Sequence, residues 1–155
     1  MTSLQPLTLL LSESERQRDR ALAEHQRALN ASDQAQAQAR ELHAYRSDYE
    51  QRWGTHFSRQ GQIELIRCYQ SFMERLTQAV DQQLRIVERA RQQVERAQSA
   101  LTDIELRCAS MRKLIERRQH ERRLDADRRD QKHSDELASR AAWSRRESSD
   151  LFRPN

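Results

Sequence analysis

Glycine and proline are nearly missing from this chain, with two of each in 155 residues. A compact domain of that length turns often and needs many more breakers, so few and long elements are implied. Aromatic residues make up 5% and hydrophobic residues 35%, with a mean hydropathy of −1.10, too little apolar mass for a layered globular core. No apolar run approaches the roughly 20 residues of a membrane span. The leucines at 7, 9, 10 and 11 form a short patch without the basic leader of a secretory signal. A soluble protein is expected, with any membrane association made through a partner. Cys68 and Cys108 stand forty positions apart on one predicted helix, roughly 60 Å at the helical rise, so they cannot pair within the chain. A reduced, cytoplasmic setting is the expectation.

What the chain does have is charge and a period. Charged residues make up 34% of it, a composition that suits disorder, but disordered segments carry no regular hydrophobic repeat and this chain does. From Ile66 to Ile115 apolar residues recur at alternating steps of three and four. One set is Ile66, Met73, Val80, Val87, Val94, Leu101, Cys108 and Ile115. The other is Tyr69, Leu76, Gln83, Ala90, Ala97, Ile104 and Met111, after which Arg118 takes the place. Such a heptad seam is too narrow for a globular core and asks for one partner helix. It predicts a rod that acts through what it touches.

Both glycines, Gly54 and Gly61, fall in one short stretch, the natural place for a turn. Ser12 with Glu15 reads as a capping box that opens a first helix over about 13–53. Its stripe is looser, through Leu22, Leu29, Ala35, Ala39, Leu42, Tyr45, Tyr49 and Trp53. The turn is expected over about 54–61 and the second helix over about 62–146, supported by acid–base pairs such as Asp81 with Arg85 and Asp125 with Arg129. Two helices joined by a short turn make an antiparallel hairpin. Folding near residue 58 pairs positions whose numbers add to about 116, bringing Leu42 towards Leu76 and Tyr45 towards Phe72. The first helix runs out opposite Met111 to Ile115, where the second loses its seam. The fold class is therefore all-α. One coiled-coil domain is expected, a long antiparallel two-helix hairpin paired to about Ile115 with a basic single-helix overhang over about 116–146.

From Arg112 to Arg146 there are twelve Lys/Arg and seven Asp/Glu, a balance of +5 in a chain of net charge +4. A basic segment unsupported by its own hairpin points to an acidic or carbonyl-rich partner surface that orders it. Its arginines offer a different reading, a basic coiled coil that tracks nucleic-acid phosphates. Against that, Glu116, Glu121, Asp125, Asp127 and Asp130 interleave with them and repel phosphate, so no nucleic-acid partner is expected. Two isolated glycines build no phosphate loop, the five histidines lack metal-ligand spacing, and no carboxylate pair is set apart for acid–base work. Neither catalysis nor a cofactor is expected.

Tyr45 and Tyr49 sit one turn apart, with Tyr69, Phe72 and Met73 across the hairpin, and Phe72 and Ala79 flank the seam. These rings either close the hairpin near its turn or form an exposed platform, the usual chemistry of an interaction hot spot.

Two blocks of residues resemble a known family, the flagellar type III export protein FliJ, and the likeness covers essentially the whole chain. One block is Tyr45-Arg-Ser-Asp-Tyr49 before the turn with Tyr69-Gln-Ser-Phe72 and Leu76 after it. The other is Leu124-Asp-Ala-Asp-Arg-Arg-Asp130-Gln131-Lys132, then Asp135-Glu136, Ala138 and Arg140-Ala141-Ala142. The resemblance implies a coiled coil similar to the γ subunit of rotary ATPases, set in the hexameric export ATPase FliI and touching the cytoplasmic domain of the export gate FlhA. It would couple the two and escort emptied export chaperones at the cytoplasmic face of the inner membrane, serving flagellum assembly, motility and chemotaxis. The family's gate-docking surface is carried here by Gln38, Leu42, Tyr45, Tyr49, Phe72, Leu76, Ala79 and Gln83, the last in place of an expected histidine. Contact with the ATPase falls to Arg117, Arg118, Arg122 and Arg123. The equivalent stalk of a virulence-type secretion system has the same shape and stays open as an alternative.

Overall fold

The computed structural model describes residues 4–57 and 62–153. Two α-helices, α1 (Gln5–Phe57, 53 residues) and α2 (Ile63–Leu151, 89 residues), pack against each other as a helical hairpin, with no strand among the described residues.

The helix ends differ from the sequence expectation. Helix α1 begins at Gln5, a full two turns before the Ser12–Glu15 box, which lies inside it. Pro6 sits in the first turn, where a missing N–H costs nothing, and the Leu4 carbonyl accepts the Thr8 N–H at 3.0 Å. Nor does α1 stop at Trp53. Gly54 is helical, with open space around the position of a Cβ, and the Thr55 hydroxyl donates to the Gln51 carbonyl at 2.9 Å. A helical glycine costs about 1 kcal/mol against alanine, and packing of Trp53 on Tyr69 across the hairpin helps to offset it. The expected turn thus shrinks at its start; its remaining part, 58–61 with Gly61, lies outside the described residues. Helix α2 starts at Ile63, its Gln62 carbonyl capped by the Ile66 N–H at 3.1 Å, and continues to Leu151 rather than Arg146.

The chain forms two compact units. In the first, Glu13–Arg107, the seam residues of α2 from Ile66 to Ile104 are buried or half-buried, each one that the heptad pattern singles out. Helix α1 answers with a seam of its own at the same alternation: Ser14, Arg18, Ala21, His25, Ala28, Ser32, Ala35, Ala39, Leu42, Arg46, Tyr49 and Trp53. This corrects the looser stripe. Leu22 and Tyr45 are 53% and 52% exposed, while small Ala21, Ala28, Ser32 and Ala35 face inward. Small residues let two backbones approach, and hydropathy alone gives them little weight. The register is antiparallel. Gln83 reaches Ala35 and Tyr49 stacks on Tyr69, pairs whose numbers add to 118 against the expected 116. Of the expected ion pairs, Arg85 instead donates from Nε to the Asp81 backbone carbonyl.

The second unit comprises Met1–Ser12 and Cys108–Asn155. Here Leu4, Leu7 and Leu11 pack half-buried beside α2, where Cys108 is 1% exposed and Ile115 is buried. From Glu116 to Arg153 every described residue is exposed, and as far as Leu151 the stretch is helical. Local pairs are what it makes, such as Arg128 to Asp125 at 3.9 Å, three residues apart rather than the expected Arg129.

Candidate docking surface

The predicted surface divides into residues that hold the hairpin together and residues that it presents. Tyr49 is a seam residue and the hub of an aromatic cluster. Its ring lies 4.7 Å from Phe72 and 6.3 Å from Tyr69 on α2, and 5.9 Å and 5.8 Å from Tyr45 and Trp53 on its own helix. Trp53 also meets Tyr69 at 6.0 Å and His56 edge-on at 5.4 Å. The spacing 45, 49, 53 places three rings one turn apart on α1. Both alternatives left open by the sequence hold, for different rings. Tyr49, Trp53 and Tyr69 close the hairpin, while Tyr45 and Phe72 stand half or more than a third exposed beside it.

A geometric reason underlies the exposed set. Gln38 and Tyr45 each immediately precede a seam residue of α1, and Phe72 and Ala79 each precede one of α2. Between antiparallel helices these flanking positions fall on the same side. A shallow groove of about 480 Å³ opens there, lined by Gln38, Glu41, Leu42, Tyr45 and Gln83. Leu42 contributes a half-buried aliphatic floor.

Two predicted contacts are buried, although Gln83 still lines the groove. Leu76 is 7% exposed and Gln83 8%, so both belong to the packing of the hairpin. Gln83 donates from Nε2 to the Ala35 carbonyl at 3.0 Å and to Gln38 Oε1 at 3.3 Å. A buried amide without such partners costs about 1–3 kcal/mol, so the bond to Ala35 is what permits glutamine in the seam. Ala35 has no side chain bulky enough to shield its carbonyl. The sequence reading also left out two residues. Glu41 lines the groove and adds a negative charge to it, and Trp53 braces Tyr49. Trp53 was visible as one more step of the 45–49 spacing.

The other predicted set, Arg117, Arg118, Arg122 and Arg123, is exposed on α2 in the second unit. Arg118 and Arg122 take the seam positions that follow Met111 and Ile115, so charge replaces the apolar row on that face. Trp143 adds an aromatic side chain, 67% exposed, further along the same helix. Among the described residues, no cluster of three or more His, Cys, Asp or Glu is placed to hold a metal ion, and no helix is long and apolar enough to cross a membrane.

No curated protein and no solved structure matches this chain. The family model described as flagellar FliJ protein does, over residues 2–147. With essentially its whole length matched, and a helical hairpin as its fold, the chain belongs to the flagellar FliJ family.

Proposed function

We propose that this protein is a coupling stalk and chaperone escort between the export ATPase and the cytoplasmic domain of the export gate. Its family is a non-catalytic one associated with flagellar export. The observation that carries the proposal is the flank of the hairpin around the groove, where Tyr45 and Phe72 are exposed next to an amide and an aliphatic floor. Rigid aromatic rings beside a shallow pocket are the residues from which protein-binding hot spots are built. The gate domain docks on this flank, through Gln38, Leu42, Tyr45, Phe72 and Ala79, with Tyr49, Leu76 and Gln83 supporting them from within. Arg117, Arg118, Arg122 and Arg123 meet acidic or carbonyl-bearing loops of the ATPase, where guanidinium groups make charge-assisted hydrogen bonds. Any membrane association runs through the export apparatus.

Calorimetric titration of the full chain with the isolated gate domain, and separately with the ATPase, tests the assignment. Tyr45→Ala weakens gate binding by about tenfold or more, the loss expected of a hot-spot ring. The same variant leaves ATPase affinity unchanged. Equal loss of both, or of neither, overturns the assignment of the two surfaces. Salt-sensitive binding of duplex DNA without binding of the ATPase supports the nucleic-acid reading instead.

A further inference from the structure

The buried amide of Gln83 settles which way the exposed amide of Gln38 points. The Ala35 carbonyl can only accept a hydrogen bond, so the Gln83 atom 3.0 Å from it must be the Nε2 donor. That same Nε2 lies 3.3 Å from the Gln38 amide, whose facing atom must therefore be the acceptor, Oε1. Gln38 Oε1 thus faces Gln83 within the hairpin, and the NH2 group is the other end of an exposed amide. Ala35 and Gln38, three residues apart on one face of α1, form a two-point receptor for Gln83.

We propose that Gln83 is a positioning residue that makes Gln38 a hydrogen-bond donor on the docking flank, and that the partner segment bound there presents a neutral carbonyl oxygen to it. The proposal rests on this flank being the gate-docking surface. A carboxylate is disfavoured as the acceptor because Glu41 lines the same groove and would repel it. A partner donor has only the second lone pair of Gln38 Oε1 to approach, the first being taken by Gln83, whereas the NH2 group carries two N–H donors. The occupant is a stretch of the gate domain with an unpaired backbone or side-chain amide carbonyl beside an apolar side chain. That apolar side chain rests on Leu42 and Tyr45.

Variants of the full chain, titrated against the isolated gate domain, decide the matter. Gln38→Glu keeps an acceptor for Gln83 but removes the outward donor, and binding falls about tenfold or more while the melting temperature holds. Gln83→Met removes the inner donor and frees the Gln38 amide to rotate. Binding then falls a few-fold, the effect vanishes in a Gln38→Ala background, and the Gln38 side-chain amide resonances move in the free protein. A merely structural role for Gln83 leaves the two substitutions additive and the Gln38 resonances in place, which overturns the positioning claim. Glu41→Gln leaves affinity unchanged if the acceptor is neutral; a marked, salt-sensitive gain identifies a carboxylate and overturns that part. Tyr45→Ala separates the two levels of the argument. If it weakens binding and Gln38→Glu does not, the donor proposal is wrong and the docking flank stands; if Tyr45→Ala has no effect, the flank itself is wrong.

Discussion

Tyrosines 45 and 49 are one helical turn apart, yet truncating them should have opposite consequences. Tyr49 is half-buried and contacts four rings, two of them across the hairpin at 4.7 and 6.3 Å. Removing a fully buried aromatic side chain costs about 3–5 kcal/mol, and half-burial with a gain in helix propensity brings Tyr49→Ala to about 2 kcal/mol. Tyr45 is 52% exposed and its one ring contact is with Tyr49 along the same helix. Such a pair contributes about 0.2–0.5 kcal/mol, which the helix preference of alanine offsets, so Tyr45→Ala should leave stability within about 0.5 kcal/mol. Urea denaturation followed by circular dichroism reads both, provided the slopes stay equal. Under the proposed docking, gate binding reads the reverse order per unit of stability lost, because Tyr45 is exposed on the flank and Tyr49 packs in the seam. A Tyr45→Ala variant as destabilised as Tyr49→Ala would show that the outer ring is packing, and the docking flank would lose its centre.

Three further outcomes are expected. A thiol reagent should modify exposed Cys68 quickly and Cys108, 1% exposed, only as the protein unfolds; equal rates would contradict the seam assignment of Cys108. Arg91 beside Glu88 lowers that carboxyl below its ordinary 4.5, chiefly through a hydrogen bond, and the same pairing raises the Arg91 guanidinium. The folded-state value is depressed, so this pair stabilises above the unfolded carboxyl's range and is lost as pH falls through the folded one. A carbon-detected titration of Glu88 should show the low midpoint, and Arg91→Ala should return it to normal. Truncation before Lys132 removes a segment whose described residues are all exposed, so melting should be unchanged; a shift of more than a few degrees would mean that the segment packs on something.

The gate-docking set shows how burial sorts residues that a sequence pattern lists together. The family resemblance implied eight positions as one surface, and the hairpin does bring them to one region. Gln38, Leu42, Tyr45, Phe72 and Ala79 lie at the flank or groove, Gln83 lines the groove while buried in the seam, Leu76 is buried, and Tyr49 is half-buried in the seam. Glu41 carried no pattern of its own and became visible only as the wall of a groove.

The amino-acid order by itself determined the inward face of α2. Apolar residues at three-and-four spacing, interrupted only by Gln83, leave a helix one way to hide them, and all the positions from Ile66 to Ile115 in that pattern are withdrawn from solvent. It also determined the antiparallel pairing to within two units of the register, because both glycines sit together. Tertiary structure decided which face α1 turns inward. The sequence stripe put Leu22 and Tyr45 inward, where the structure turns Ala21, Ala28 and Ser32 inward and leaves Leu22 and Tyr45 exposed on either side of the seam, although hydropathy favours the larger residues. Close approach to α2 favours the smaller ones, since small side chains let the helices touch and let Gln83 reach a backbone carbonyl. That choice, made only when the two helices meet, is what leaves Tyr45 facing out.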